Sequence, residues 1–102
     1  MAGFKMTMDD QNILRIGFGD PADNDVIVRD ASEILNGLRS TGQLSRGEII
    51  RVHGPASLPV AMAIGHSLSH LYQAVACFDP KLSKYVVAVS HGRKYSVGDL
   101  LD

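Results

Sequence analysis

Residues 48–78 read EIIRVHGPASLPVAMAIGHSLSHLYQAVACF, and their pattern decides the architecture. EIIRVH (48–53) is short, apolar and rich in β-branched residues, which reads as a strand. Gly54-Pro55 breaks it. Ser57 can cap the helix that follows, and Pro59 falls in its first turn, where a missing N–H costs nothing. Ala61, Ile64, Leu68 and Leu71 recur at steps of three and four, the apolar stripe of a helix over 57–71. QAVACF (73–78) is a short apolar run that suits a buried strand. Strand, helix and strand in such close succession make a βαβ crossover, with the strands parallel and the helix on one face.

The same reading extends in both directions. GFKMTM (3–8) and ILRIGF (13–18) are two strands joined by the turn residues Asp9-Asp10-Gln11-Asn12, hence a hairpin. Asp23, Asn24 and Asp25 offer an N-cap, and Ile27, Ala31, Ile34 and Leu38 mark one helical face that Gly42 ends. After the crossover, Asp79-Pro80-Lys81-Leu82-Ser83 is a turn and KYVVAV (84–89) a last core strand. The tail SHGRKYSVGDLLD adds a short extension. The order β-β-α-β-α-β-β predicts one α+β domain over 1–102, a two-layer sandwich with a mixed sheet and two helices on one face. The other sheet face must be covered, solvated or used for dimerisation.

Composition narrows the function classes. A chain of 102 residues fits one domain with limited burial, so oligomerisation would help its stability and an interface between subunits is one place for a deep ligand site. The net charge of −1 provides no global attraction to duplex DNA or to an anionic membrane, although a local set of donors can still hold a small nucleotide. Cys77 is the only cysteine, which excludes an intrachain disulfide and suits the cytoplasm; its apolar neighbours predict a buried spectator. MAGFKMTMDD has no apolar core of the signal-peptide kind, and no apolar stretch is long enough to span a bilayer.

All four histidines, His53, His66, His70 and His91, lie between 53 and 91. Gly54 and Ser57 sit where a strand gives way to a helix, a place for a phosphate-facing turn or for an ordinary strand stop and cap. His66 and His70 are four apart on one helical face, a spacing that suits two ligands of one metal and equally two solvated side chains. Asp79 lies at the C-terminal end of a parallel strand, where α/β sheets place ligands; it could bind a cation or orient a nucleophile, and Lys81 could neutralise a phosphate. The plain alternative is an Asp-Pro turn. Ser90-His91 follows the last strand. A hairpin of strands 73–78 and 84–89 sets His91 and Asp79 about 20–25 Å apart, so they can cooperate only between subunits.

Gly54-Pro55, His70, Ala74-Val75-Ala76, Phe78-Asp79-Pro80, Val86-Val87, Ser90-His91 and Gly98-Asp99-Leu100, in that order, resemble the small stand-alone ring nucleases of type III CRISPR systems. The resemblance covers 48–101, and the ordered combination carries it rather than any one motif. It implies a ferredoxin-like fold and a phosphodiesterase that degrades cyclic tetraadenylate to linear di-adenylate, switching off antiviral signalling. It further implies Mn²⁺ dependence, an additional exonuclease activity on RNA 3′ ends, and homodimers that stack into a tetramer or filament around the cyclic ligand. Carried over, His70 and Asp79 are the catalytic pair and the metal ligands, and His91 is a catalytic or ligand-binding histidine. Gly54, Ser57, Lys81 and Ser90 are ligand-binding candidates. Lys81 stands where the family usually has arginine, which keeps the charge and loses the bidentate fork. The expected grouping is His70, Asp79 and Lys81 on one edge and Ser90 with His91 on another. A non-catalytic sensor of a cyclic nucleotide and a structural oligomerisation module are the other classes the residues allow.

Overall fold

The structure, a computed structural model, describes residues 3–102. Strands β1 (Phe4–Met8) and β2 (Ile13–Phe18) form an antiparallel hairpin. Helix α1 (Asn24–Ser40) leads to β3 (Gly47–His53), and α2 (Leu58–Ser69) leads on to β4 (Tyr72–Asp79). β2, β3 and β4 are parallel neighbours; β5 (Lys84–Ser90) and β6 (Leu100–Leu101) return antiparallel. The six strands lie side by side in chain order, with both βαβ units contiguous. Because α1 and α2 pack on each other, they share one face of the sheet. The result is the expected α+β, ferredoxin-like two-layer sandwich, with β6 as the extension expected of the tail.

The main core lies between helices and sheet. Phe4, Leu14, Leu35, Ile50, Val60 and Leu68 are among its large, fully buried side chains. Each contributes about 1.5–3 kcal/mol by leaving water. In α1 the buried stripe is Ile27, Ala31, Leu35 and Leu38, with Leu35 in the central place expected for Ile34, which packs at the flank. In α2 it is Val60, Ile64 and Leu68, while Ala61 is exposed. Alternate side chains enter a second cluster on the opposite face: Ile13, Ala74, Ala76, Tyr85 and Val87. The tail covers part of it through Tyr95 and Leu101. It is held there by Val87 N–H on the Asp99 carbonyl (2.9 Å) and Gly98 N–H on the Val87 carbonyl (2.8 Å).

Asp9 closes the first hairpin. Its Oδ1 accepts the Gln11 and Ile13 N–H groups at 2.9 Å each, and Arg15 Nε donates to Oδ2 at 2.9 Å. The Ile13 N–H, then the Arg15 side chain and the Gln11 N–H, hold the Asp9 carboxyl below its ordinary value of 3.8. A carboxylate depressed in the folded state binds its proton more readily when unfolded. Its stabilisation is therefore complete above the ordinary value and is lost as pH falls through the depressed one. Asp9→Asn should lower the midpoint of thermal unfolding at pH 7, and the gap from wild type should close as pH falls below the ordinary carboxylate range. A gap that stays constant with pH would rule out this ionic contribution.

Candidate functional site

The hairpin of β4 and β5 carries the predicted site residues at its two ends. Ala74 pairs with Ser90 and Asp79 with Lys84, so Ser90-His91 lies beside the start of β4 and Asp79 beside the start of β5. The length of β4 separates the ends by about 20–25 Å. His91 and Asp79 are apart, as strand arithmetic requires. The same arithmetic overturns the grouping of His70 with Asp79 and Lys81. His70 is the C-cap of α2, two residues before β4 begins, and so belongs to the His91 end.

At that end His70 and His91 line one open cavity of about 550 Å³ with Arg46, Glu48 and Gln73. His91 N–H donates to the Gln73 carbonyl at 2.7 Å, which fixes the backbone beneath the imidazole. Both rings are exposed. Glu48 is paired with Lys94 at 3.0 Å, whereas Arg46 makes no ion pair among the described residues. Arg46, Glu48 and Gln73 were not read from sequence as site residues. The parallel register that sets Gly47 against Tyr72 is what brings them beside His70, and that register was the signal that could have found them. Ser90 Oγ donates to the Tyr95 carbonyl at 2.6 Å, so its hydroxyl closes the tail loop.

At the other end Asp79 organises its own turn. Its Oδ1 accepts the Lys81 N–H at 2.8 Å and the Leu82 N–H at 3.3 Å, and Ser83 takes the left-handed φ of 52° that ends the turn. Oδ2 takes no hydrogen bond among the described residues. The Lys81 ammonium is exposed and unpaired among them.

Gly54 and Ser57 have local structural duties. Gly54 has φ 138°, and a Cβ there would run into the Ile16 carbonyl oxygen and lie 2.8 Å from its carbon. Ser57 stands at the N-cap of α2 and Asp23 at that of α1, yet neither side chain bonds its helix. Ser57 Oγ donates instead to Asn24 Oδ1 at 2.7 Å, pinning the start of α2 to the start of α1.

The remaining histidines divide. His53 stacks on Phe78 (4.3 Å between ring centres, 26°) with Tyr85 at its edge, on the face away from the helices. His66 and His70 meet edge to face, their Nε2 atoms 3.4 Å apart. A second cavity, about 510 Å³ and mainly apolar, opens where the sheet extends past α2; Met62, His66, Cys77 and Val89 are among its lining. Cys77 is exposed there rather than buried. Its side chain points to the helix side of β4 beyond the cover that α2 provides. The apolar walls still desolvate the sulfur and push its thiol pKa up, which keeps it protonated and slow to react.

A manganese ion held by His70 and Asp79 does not fit one subunit, because the two donors lie at opposite ends of β4. Among the described residues no group of three or more His, Cys, Asp or Glu side chains is placed to hold an ion. No described helix is long and apolar enough to cross a membrane.

Comparison with known proteins gives one result. A family model described as CRISPR-associated protein (Cas_csx3) matches residues 27–102, well over half of the chain. The match takes in α1 from Ile27 onward and everything after it, including both ends of the β4–β5 hairpin. No curated protein and no solved structure matches.

Proposed function

The chain belongs to the Cas_csx3 family of CRISPR-associated proteins, and from that premise we propose that it is a ring nuclease cleaving cyclic tetraadenylate to linear di-adenylate. The observation that carries the reading is the division of the candidate groups between two ends of one hairpin: His70, His91 and Arg46 at one, Asp79 and Lys81 at the other. Neither end is sufficient. Phosphodiester cleavage needs a nucleophile relieved of its proton, relief of charge on the phosphate and a proton for the leaving oxygen. The imidazoles can take up and release protons, Arg46 and Lys81 can neutralise phosphate, and Asp79 Oδ2 can accept a proton or orient the attacking oxygen. Subunits stacked end to end bring the two sets around one cyclic ligand. In this reading the working form is a homodimer that stacks with ligand; His70 of one subunit and Asp79 of another would hold Mn²⁺, which would supply charge relief on the phosphate. Removal of nucleotides from RNA 3′ ends would use the same groups.

A binding-only reading draws on the turn that Asp79 closes, since one of its carboxylate oxygens is already committed to two N–H groups. A single experiment separates the two. Purified protein incubated with cyclic tetraadenylate, with and without Mn²⁺, should yield linear di-adenylate. His70→Ala and Asp79→Ala should each lower the rate by about 10²–10⁴-fold, the usual contribution of a positioned acid or base. A raised unfolding temperature with intact cyclic ligand would establish a sensor instead. Unchanged turnover in both variants would remove His70 and Asp79 from the chemistry.

A further inference from the structure

We propose that His66 and His70 form a two-imidazole chelate for a borderline first-row divalent cation such as Zn²⁺ or Ni²⁺, at the C-terminal end of α2. The spacing of four residues brings the side chains together one turn apart. Their Nε2 atoms face each other at 3.4 Å, with the ring planes at 89°. As a hydrogen bond that distance is long, so the pair gains little from direct contact. As a chelate it is well matched: two metal–nitrogen bonds of about 2.0–2.1 Å meeting at a tetrahedral angle span about 3.4 Å. The separation of the two nitrogens is thus the one a shared ion requires.

The surroundings agree with this assignment. His66 lies in the last turn of α2 and His70 is its C-cap, where the helix dipole favours positive charge. Both imidazoles are exposed, which leaves the other coordination positions open to water or to a donor from outside the chain. No carboxylate completes the set among the described residues. Two nitrogen donors without carboxylate favour Zn²⁺, Ni²⁺ or Cu²⁺ over Mn²⁺, which sits lowest in the divalent affinity order and prefers oxygen. The pair therefore overlaps at His70 with the manganese site proposed with Asp79 across subunits, and differs from it in its second donor and in its metal preference.

This proposal does not rest on the ring-nuclease reading, because its test contains no nucleotide. Metal-stripped full-length protein is titrated calorimetrically with Ni²⁺, Zn²⁺ and Mn²⁺. Ni²⁺ and Zn²⁺ should bind, with Mn²⁺ weaker by about tenfold or more. His66→Ala and His70→Ala, both at exposed positions, should each weaken Ni²⁺ binding by about tenfold or more. His53→Gln, on the opposite face of the sheet, should leave it unchanged. Absence of Ni²⁺ and Zn²⁺ binding, tighter binding of Mn²⁺, or wild-type affinity in both α2 variants would overturn the chelate. Failure of cyclic tetraadenylate cleavage would leave it standing.

Discussion

Mixing His70→Ala protein with Asp79→Ala protein is expected to restore cleavage of cyclic tetraadenylate that neither variant supports alone. The expectation follows from the register of one hairpin. Ala74 opposite Ser90 and Asp79 opposite Lys84 put the histidine end and the aspartate end at opposite limits of β4. If a complete site forms where the histidine end of one subunit meets the aspartate end of another, each homogeneous variant lacks one group at every contact. Its rate should fall by about 10²–10⁴-fold. In the mixture, an Asp79→Ala subunit contributes an intact His70 end and a His70→Ala subunit an intact Asp79 end. Wherever those two ends meet, the site is whole.

The measurement is the initial rate at constant total protein as the ratio of variants changes. It should rise above the weighted sum of the separate rates and peak near equal proportions. A double variant lacking both groups provides the control, because mixing it with either single variant leaves one group missing throughout and should restore nothing. A mixture no faster than its components would mean that the half-sites do not complement one another, and the composite site would fall with it. Rescue by the double variant would point to a bulk effect of added protein.

The sequence exposed the elements of this fold more fully than the neighbourhoods within it. The crossover from Glu48 to Phe78 was legible because period, breaker and cap residues agree over that stretch. The two helices therefore fall close to where their apolar stripes put them, although α2 ends at Ser69, two residues short of the expected Leu71. What stayed hidden depends on register. His70 and Asp79 are close in number, and only the direction of β4 shows that the chain runs straight from one to the other. Arg46 and Glu48 precede any strong apolar run, and only the pairing of Gly47 with Tyr72 brings them to His70. Cys77 shares an apolar run with Ala76, yet successive residues face opposite sides of a sheet. Ala76 is fully buried, while Cys77 opens onto a cavity that α2 is too narrow to close. Ser57 was legible as an N-cap by position, but its hydroxyl serves Asn24, a partner far away in sequence.

Gly54 tests how far a motif residue can be explained by the fold alone. Gly54→Ala is expected to destabilise the protein by about 4 kcal/mol or more, the range reserved for substitutions that break a structural constraint. Two costs combine. The φ of 138° is a conformation that side-chain-bearing residues rarely adopt. The added Cβ would also collide with the Ile16 carbonyl and lie 2.9 Å from Ile16 Cγ1. These are backbone and near-backbone atoms of the neighbouring strand, so relief requires β2 to move away from the end of β3. That movement would loosen the parallel pairing of Leu14 with Val52, two residues of the main core. Gly37→Ala supplies the contrast: nothing lies within 4 Å of a Cβ there, and inside α1 the change should stabilise by about 0.5–1 kcal/mol. Urea unfolding of both variants reads the difference directly in the midpoints. A Gly54→Ala protein as stable as wild type would show that the β2–β3 contact yields easily. The glycine would then have to be explained by what its turn binds, as the phosphate-facing reading supposes. A destabilised Gly54→Ala protein whose remaining folded fraction still binds cyclic tetraadenylate with wild-type affinity would assign the residue to the fold.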